Sequence, residues 1–177
     1  MPLIDPARSA LLVIDVQARL MPAIDQAAIR IGNTARLIKA AQMLGLPRHV
    51  TEQNPARLGA TIPELEIAPG EALPKMTFDS LRDPAIATRL GGDVALVVCG
   101  CEAHVCVLQT VLALRAAGRT VHVVADATGS RTEANRTAGL DRMRAHGADI
   151  VTTEMVLFEW LGSAANPAFK ALMPLIK

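Results

Sequence analysis

Tyrosine is absent from this chain, and only Phe78, Phe158, Trp160 and Phe169 are aromatic. Nucleic-acid-binding surfaces stack bases on aromatic rings and neutralise phosphates with clustered cations. Four rings, a net charge of +1 and no basic cluster supply neither device, so no nucleic-acid partner is expected. No apolar run approaches the ~20 residues needed to cross a bilayer. The 51% of hydrophobic residues is therefore assigned to a globular core, and no membrane association is expected. The opening Met1-Pro2-Leu3-Ile4-Asp5-Pro6 lacks the basic and apolar regions of a signal peptide. Cysteine is scarce and odd in number: Cys99, Cys101 and Cys106. That argues against a disulfide framework and, with the missing signal, predicts a reducing, cytoplasmic setting. There is no Gly-x-Gly-x-x-Gly, no Walker A sequence and no second cysteine pair of zinc-site spacing, so neither cofactor nor metal is expected.

What the chain does contain is alternation. Apolar runs of strand length recur at 9–14, around 49–51, at 72–75, 94–100, 120–125 and 149–153. Helical patterns separate them. Residues 27–44 carry a stripe of Ile31, Ala35, Ile38 and Ala41, with Arg30, Arg36 and Lys39 off it. Further helices are expected at 84–90, 106–117, from the capping-box spacing Ser130-Arg131-Thr132-Glu133 to Gly147, at 154–161, and from Asn166-Pro167. The Pro- and Gly-rich stretch 53–70 has no period and reads as a long loop, which inside a compact domain is more often functional than incidental. Strands alternating with helices predict one α/β domain over 1–177. Its architecture is a three-layer α/β/α sandwich with a central, mainly parallel six-stranded sheet of Rossmann-like type.

Three of the predicted strands end on or beside chemically useful side chains. The run 9–14 is followed by Asp15, the run 72–74 by Lys75, and the run 94–100 leads through Cys101-Glu102-Ala103-His104-Val105 to Cys106. Binding sites in open parallel sheets lie beyond the carboxyl ends of strands. Each residue also has a plainer reading: Asp15 as a helix cap, Lys75 as a solvated surface charge, Cys106 as a buried structural thiol. Cys106 is placed on the first turn of a helix, where the dipole is expected to lower a thiol's pKa. Cys99 reads as core, Cys101 as a turn residue open to solvent, and His122 as structural. His104 is the one histidine close to the thiol.

Taken together, these residues carry a resemblance. Leu12-Val13-Ile14-Asp15-Val16-Gln17, Thr51-Glu52-Gln53, Lys75-Met76-Thr77-Phe78 and Gly100-Cys101-Glu102-Ala103-His104-Val105-Cys106-Val107 resemble the isochorismatase-like cysteine hydrolases. Within them the chain is most similar to the small isochorismatase-domain branch. The likeness runs from about residue 9 to the C-terminus, through Ser130-Arg131-Thr132 and Asn166-Pro167-Ala168-Phe169-Lys170. It implies the isochorismatase-like hydrolase fold, a catalytic triad of Asp15, Lys75 and Cys106, and a non-proline cis peptide at Cys101–Glu102. The backbone N–H groups of Glu102 and Cys106 are then the expected oxyanion hole. The metal-binding aspartate and histidines of the family's nicotinamidases have no counterpart at 49–60, so that activity and its metal are not expected.

The function expected is hydrolysis of a C–N bond in a small, amide-like substrate through a thioester on Cys106. Gln17, Gln53, Phe78 and His104 are the candidates for lining the substrate pocket. A redox-active thiol pairing Cys106 with Cys101, and a non-catalytic oligomeric binding protein, are the alternatives. The 106–117 helix is apolar on nearly every side, with Gln109, Thr110 and Arg115 its clearly polar members, which predicts a homo-oligomer with this helix at the interface.

Overall fold

The computed structural model describes residues 3–176; the first two residues of the N-terminal segment and Lys177 lie outside the described residues. Six parallel strands form one sheet: β1 (Ser9–Ile14), β2 (Arg48–Gln53), β3 (Ala72–Lys75), β4 (Ala95–Cys101), β5 (Val121–Gly129) and β6 (Asp149–Val151). Their order is β3-β2-β1-β4-β5-β6. The connecting helices are α1 (Ala27–Met43), α2 (Pro55–Leu58), α3 (Pro84–Arg89), α4 (Leu108–Ala116), α5 (Glu133–Ala145), α6 (Thr153–Leu161) and α7 (Phe169–Leu172). No helix among the described residues is long and apolar enough to cross a membrane.

Every residue of β1 is buried, because the central strands are covered on both faces. Leu11 and Val13 of β1 join Val97, Cys99 and Val124 against Leu37 and Ile38 of α1 and Trp160 of α6. The alternate residues Ala10, Leu12 and Ile14 join Leu96, Val98 and Val123 against Val111 and Leu114 of α4 and Leu140 and Met143 of α5. The Trp160 indole N–H, buried in the first layer, donates to Ser9 Oγ at 3.1 Å. Strand order reverses direction between β1 and β4, which is where an open parallel sheet leaves a crevice beyond its carboxyl edge.

Several local expectations are corrected. Arg30, expected off the buried stripe of α1, is buried together with Asn33 and Thr34. The reason lies in β5, whose register against β4 shifts between Val98 and Gly100. That irregularity leaves the Asp126 carbonyl to be satisfied from α1, by Arg30 Nη1 at 3.2 Å and Asn33 Nδ2 at 2.9 Å. β5 itself runs on to Gly129 rather than stopping at Ala125, because its last residues pair with Gly100 and Cys101 despite their polarity. The cap of α5 is Thr132, accepting from Asn135 N–H at 3.3 Å, and not Ser130. β6 ends at Val151 because Thr152 caps α6. The 53–70 loop contains α2 and a 3₁₀ turn at Pro63–Leu65.

The predicted 106–117 helix is two pieces, a π-helical turn at Ala103–Val107 followed by α4. Much of its apolar surface is covered from within the chain: Leu108, Thr110, Val111 and Leu114 are all buried. Its outward side is limited to exposed Gln109 and Ala116 with half-buried Leu112, Ala113 and Arg115, so helix apolarity alone does not require a partner.

Candidate active site

Asp15 is the first residue past β1 and takes a left-handed backbone, φ 54°. Its N–H donates to the Thr51 carbonyl at 3.1 Å, which turns the chain out of the sheet at that point. The side chain points into the protein rather than into solvent. Oδ1 accepts from Thr51 Oγ1 at 2.7 Å and Oδ2 accepts from Lys75 Nζ at 2.7 Å. Thr51 can do this because the parallel register sets it opposite Ile14, one residue before Asp15. The side chains of Asp15 and Lys75 are both 0% exposed. Two opposite charges so deeply buried persist only as a pair, since each alone costs several kcal/mol to desolvate.

Lys75 is the last residue of the edge strand β3 and is paired in register with Gln53. Its ammonium also donates to Gln53 Oε1 at 2.8 Å. Cys106 comes from the other half of the sheet, on the π-helical turn that follows β4. Its thiol sits close enough to Asp15 and Lys75 for both charges to act on it. Burial first, and then the Asp15 charge, push this thiol up to about 12, while Lys75 opposes the rise. The lowered pKa expected of a helix start is thus not found. The thiol is neutral at rest because desolvation by the surrounding core outweighs the dipole and the lysine.

β4 approaches β1 so closely at its end that only glycine fits there. A Cβ on Gly100, whose φ is 117°, would sit 2.0 Å from the Ile14 carbonyl oxygen. Next to it the Cys101–Glu102 peptide is cis, as the resemblance implied. The Glu102 carboxylate accepts from the N–H and from Nε of Arg131, both at 3.0 Å. Two residues on, His104 Nδ1 lies 3.0 Å from Ser130 Oγ. The turn that carries Cys106 is therefore tied twice to the residues following β5.

The structure brings Asp15, Lys75 and Cys106 together and sorts the other expected site residues. Gln17 is fully buried, and its amide donates to the carbonyls of Gln53 and Gly59 while accepting from Gln53 N–H. Gln53 is held by Lys75 and by the Met76 carbonyl. Both glutamines are thus engaged in hydrogen bonds within the protein, because the sheet edge has backbone groups to satisfy there. His104 is half-buried and Phe78 is 51% exposed, so these two stay reachable from outside. Cys101 is buried, with Sγ 3.8 Å from Met21 Sδ, and not open to solvent, because β4 continues through it. All three cysteines are free thiols. Thr51 and Arg131 were missed as site residues; strand register places the first and tertiary packing the second. His122, as expected, is structural: it is buried with Nδ1 3.1 Å from Asp149 Oδ2. Among the described residues, no group of three or more His, Cys, Asp or Glu side chains is arranged to hold a metal.

A parallel α/β sheet with an acid, a base and a thiol meeting at its reversal point defines a class of candidate hydrolases, and comparison with known proteins gives the family. The sequence matches the isochorismatase domain over residues 9–155, and the chain belongs to that family. It is 37% identical over 175 residues to isochorismatase domain-containing protein 1 of Salmo salar. That alignment takes in 97% of this chain but 62% of the salmon protein, so the chain spans less than two thirds of that relative. Among solved structures, the MAR1 ribonuclease of Caenorhabditis elegans is 36% identical, with a TM-score of 0.91 over 99% of this chain and 92% of its own. The Escherichia coli ycaC gene product, described as an octameric hydrolase of unknown specificity, shares the fold at 24% identity. Its TM-score is 0.90, covering 99% of this chain and 90% of that one.

Proposed function

We propose that the chain is a cysteine-dependent hydrolase of small non-peptide C–N bonds, amides first among them, using Asp15, Lys75 and Cys106. The observation supporting this reading is the fully buried Asp15–Lys75 pair set against the Cys106 thiol. It supplies a proton acceptor and a fixed cation at one nucleophile. Because the resting thiol is neutral, its proton leaves as it attacks. The proton passes from sulfur to the Asp15 carboxylate while the sulfur–carbon bond forms and the carbonyl electrons move onto oxygen. The N–H groups of Glu102 and Cys106 receive that oxyanion. Collapse of the intermediate breaks the C–N bond, and the leaving amine takes the proton from Asp15. Water then attacks the thioester, giving a proton to Asp15. Cleavage of the carbon–sulfur bond releases the acid and returns that proton to Cys106. The sum is amide plus water giving acid plus amine. Phe78 and His104 line the mouth through which the substrate enters.

Incubation with a panel of small primary amides, quenched rapidly and followed by intact-protein mass spectrometry, tests the proposal. The expected result is turnover of at least one amide, with an acyl group trapped on Cys106. Cleavage of RNA that survives Cys106→Ala, with no adduct from any amide, would overturn it in favour of the activity named for the nematode relative.

The functional unit in this reading is a homo-oligomer in the cytoplasm. Directly after Lys75, Met76 presents a large apolar side chain that is 69% exposed, and a second copy would cover it. Light scattering at low micromolar concentration should return at least twice the 18.7 kDa chain mass. A stable monomer would refute the assembly.

A further inference from the structure

Gln53 is buried at the centre of a set of hydrogen bonds that the proton transfers above do not use. Its amide has one possible orientation. Lys75 Nζ can only donate, so the group 2.8 Å away is Oε1; the Met76 carbonyl can only accept, so the group 2.9 Å away is Nε2. The backbone of Gln53 is fixed just as tightly. β1 leaves the sheet at Ile14, which deprives the last residue of β2 of its strand neighbour. The Gln17 side chain takes that place, accepting from Gln53 N–H at 2.8 Å and donating to Gln53 C=O at 3.1 Å. Gln17 is itself anchored to the Gly59 carbonyl at 2.6 Å. A side-chain amide thus extends the sheet's ladder past the end of β1.

We infer that Gln53, clamped by Gln17, is a positioning residue that aims the Lys75 ammonium at both Asp15 and the Cys106 thiol. This inference rests on the hydrolase reading and adds to it a residue that governs how readily the thiol ionises. The neutrality of the amide is essential. Asp15 and Lys75 balance each other, so a carboxylate at position 53 would compete for the same ammonium and add a negative charge near the developing thiolate. A protonated Glu, by contrast, reproduces the amide, since its carbonyl oxygen accepts from Lys75 and its hydroxyl donates to Met76 O.

The test is the rate of Cys106 alkylation by iodoacetamide, site-resolved by peptide mass spectrometry, from pH 5 to 9 in the full chain. Gln53→Glu should react roughly tenfold or more slowly than wild type at pH 8, where the new carboxylate is ionised. Gln53→Ala should lag at every pH by a roughly constant factor. With any amide that turns over, both variants should lose kcat, up to about a hundredfold, with little change in KM. Should Gln53→Ala fail to fold, the near-isosteric Gln53→Glu carries the test alone. Two outcomes would overturn the inference: variant and wild-type alkylation profiles that overlay, or a raised KM with unchanged kcat, which would make Gln53 a substrate contact. Failure of the hydrolase reading is separately visible, because wild-type alkylation does not depend on any amide being hydrolysed.

Discussion

Asp15→Asn is expected to abolish amide turnover and to unfold at a markedly lower temperature than the wild-type chain. The first effect follows from loss of the Asp15 carboxylate that acts on the thiol, for which a drop of about 10⁴-fold or more is expected. The second follows from burial. A carboxylate beyond a strand end would, on sequence grounds, matter for proton transfer and little for packing. In the fold, however, it is the counter-ion of a lysine whose side chain is 0% exposed. Removing one partner of such a pair leaves the other charge buried and uncompensated, at a cost of about 3–5 kcal/mol. For a chain of this size that lowers the melting temperature by roughly 10 °C. The double variant Asp15→Asn with Lys75→Met removes the orphaned charge, and should regain much of the lost stability without regaining turnover. Differential scanning calorimetry beside an activity assay separates the two effects. An Asp15→Asn chain that melts with the wild type would show that the ion pair contributes nothing to stability.

Cys106→Ala should be equally inactive but should melt close to wild type. Cys106 is only 6% exposed, yet the change removes a single polarisable atom beside groups that keep their own partners. The intact thiol offers a sharper check through its pH dependence. A thiol activated by a helix dipole alone would be ionised near neutrality, and its alkylation would plateau between about pH 7 and 8. Because burial and Asp15 push Cys106 up to about 12, the thiolate fraction keeps growing with alkalinity. Its iodoacetamide rate should therefore rise steadily through pH 9 without levelling. Cys99 and Cys101, enclosed in β4, should label only as the chain unfolds. A plateau near pH 7, or faster labelling of Cys101, would be inconsistent with this site.

The contrast between these two residues shows where sequence reasoning works here. The apolar runs that became β1, β4 and β5 read correctly because a strand buried on both faces must be apolar throughout. Alternation with helices then implied a parallel sheet, and Asp15, Lys75 and Cys106 followed as residues at strand ends or just beyond. Arg30 and Ser130 misled for a common reason. Each looked like a local feature of its helix, a polar flank and a cap, whereas Arg30 answers an unpaired carbonyl of β5 and Ser130 meets His104. Neither β5's register shift nor the His104 contact leaves a local trace in the sequence.

The chain's own pattern therefore determined the order of its elements and the residue types gathered at one edge of the sheet, while its motifs carried the resemblance to the family. Tertiary structure decided their state. Register set Thr51 against the Asp15 carboxylate and Gln53 against Lys75; burial turned the acid and base into an ion pair and held the thiol neutral. Those properties depend on which strands become neighbours and how much water is excluded between them. A periodic pattern specifies which residues face inward, but desolvation and pairing act across residues 36, 60 and more positions apart, and only the folded sheet brings those together.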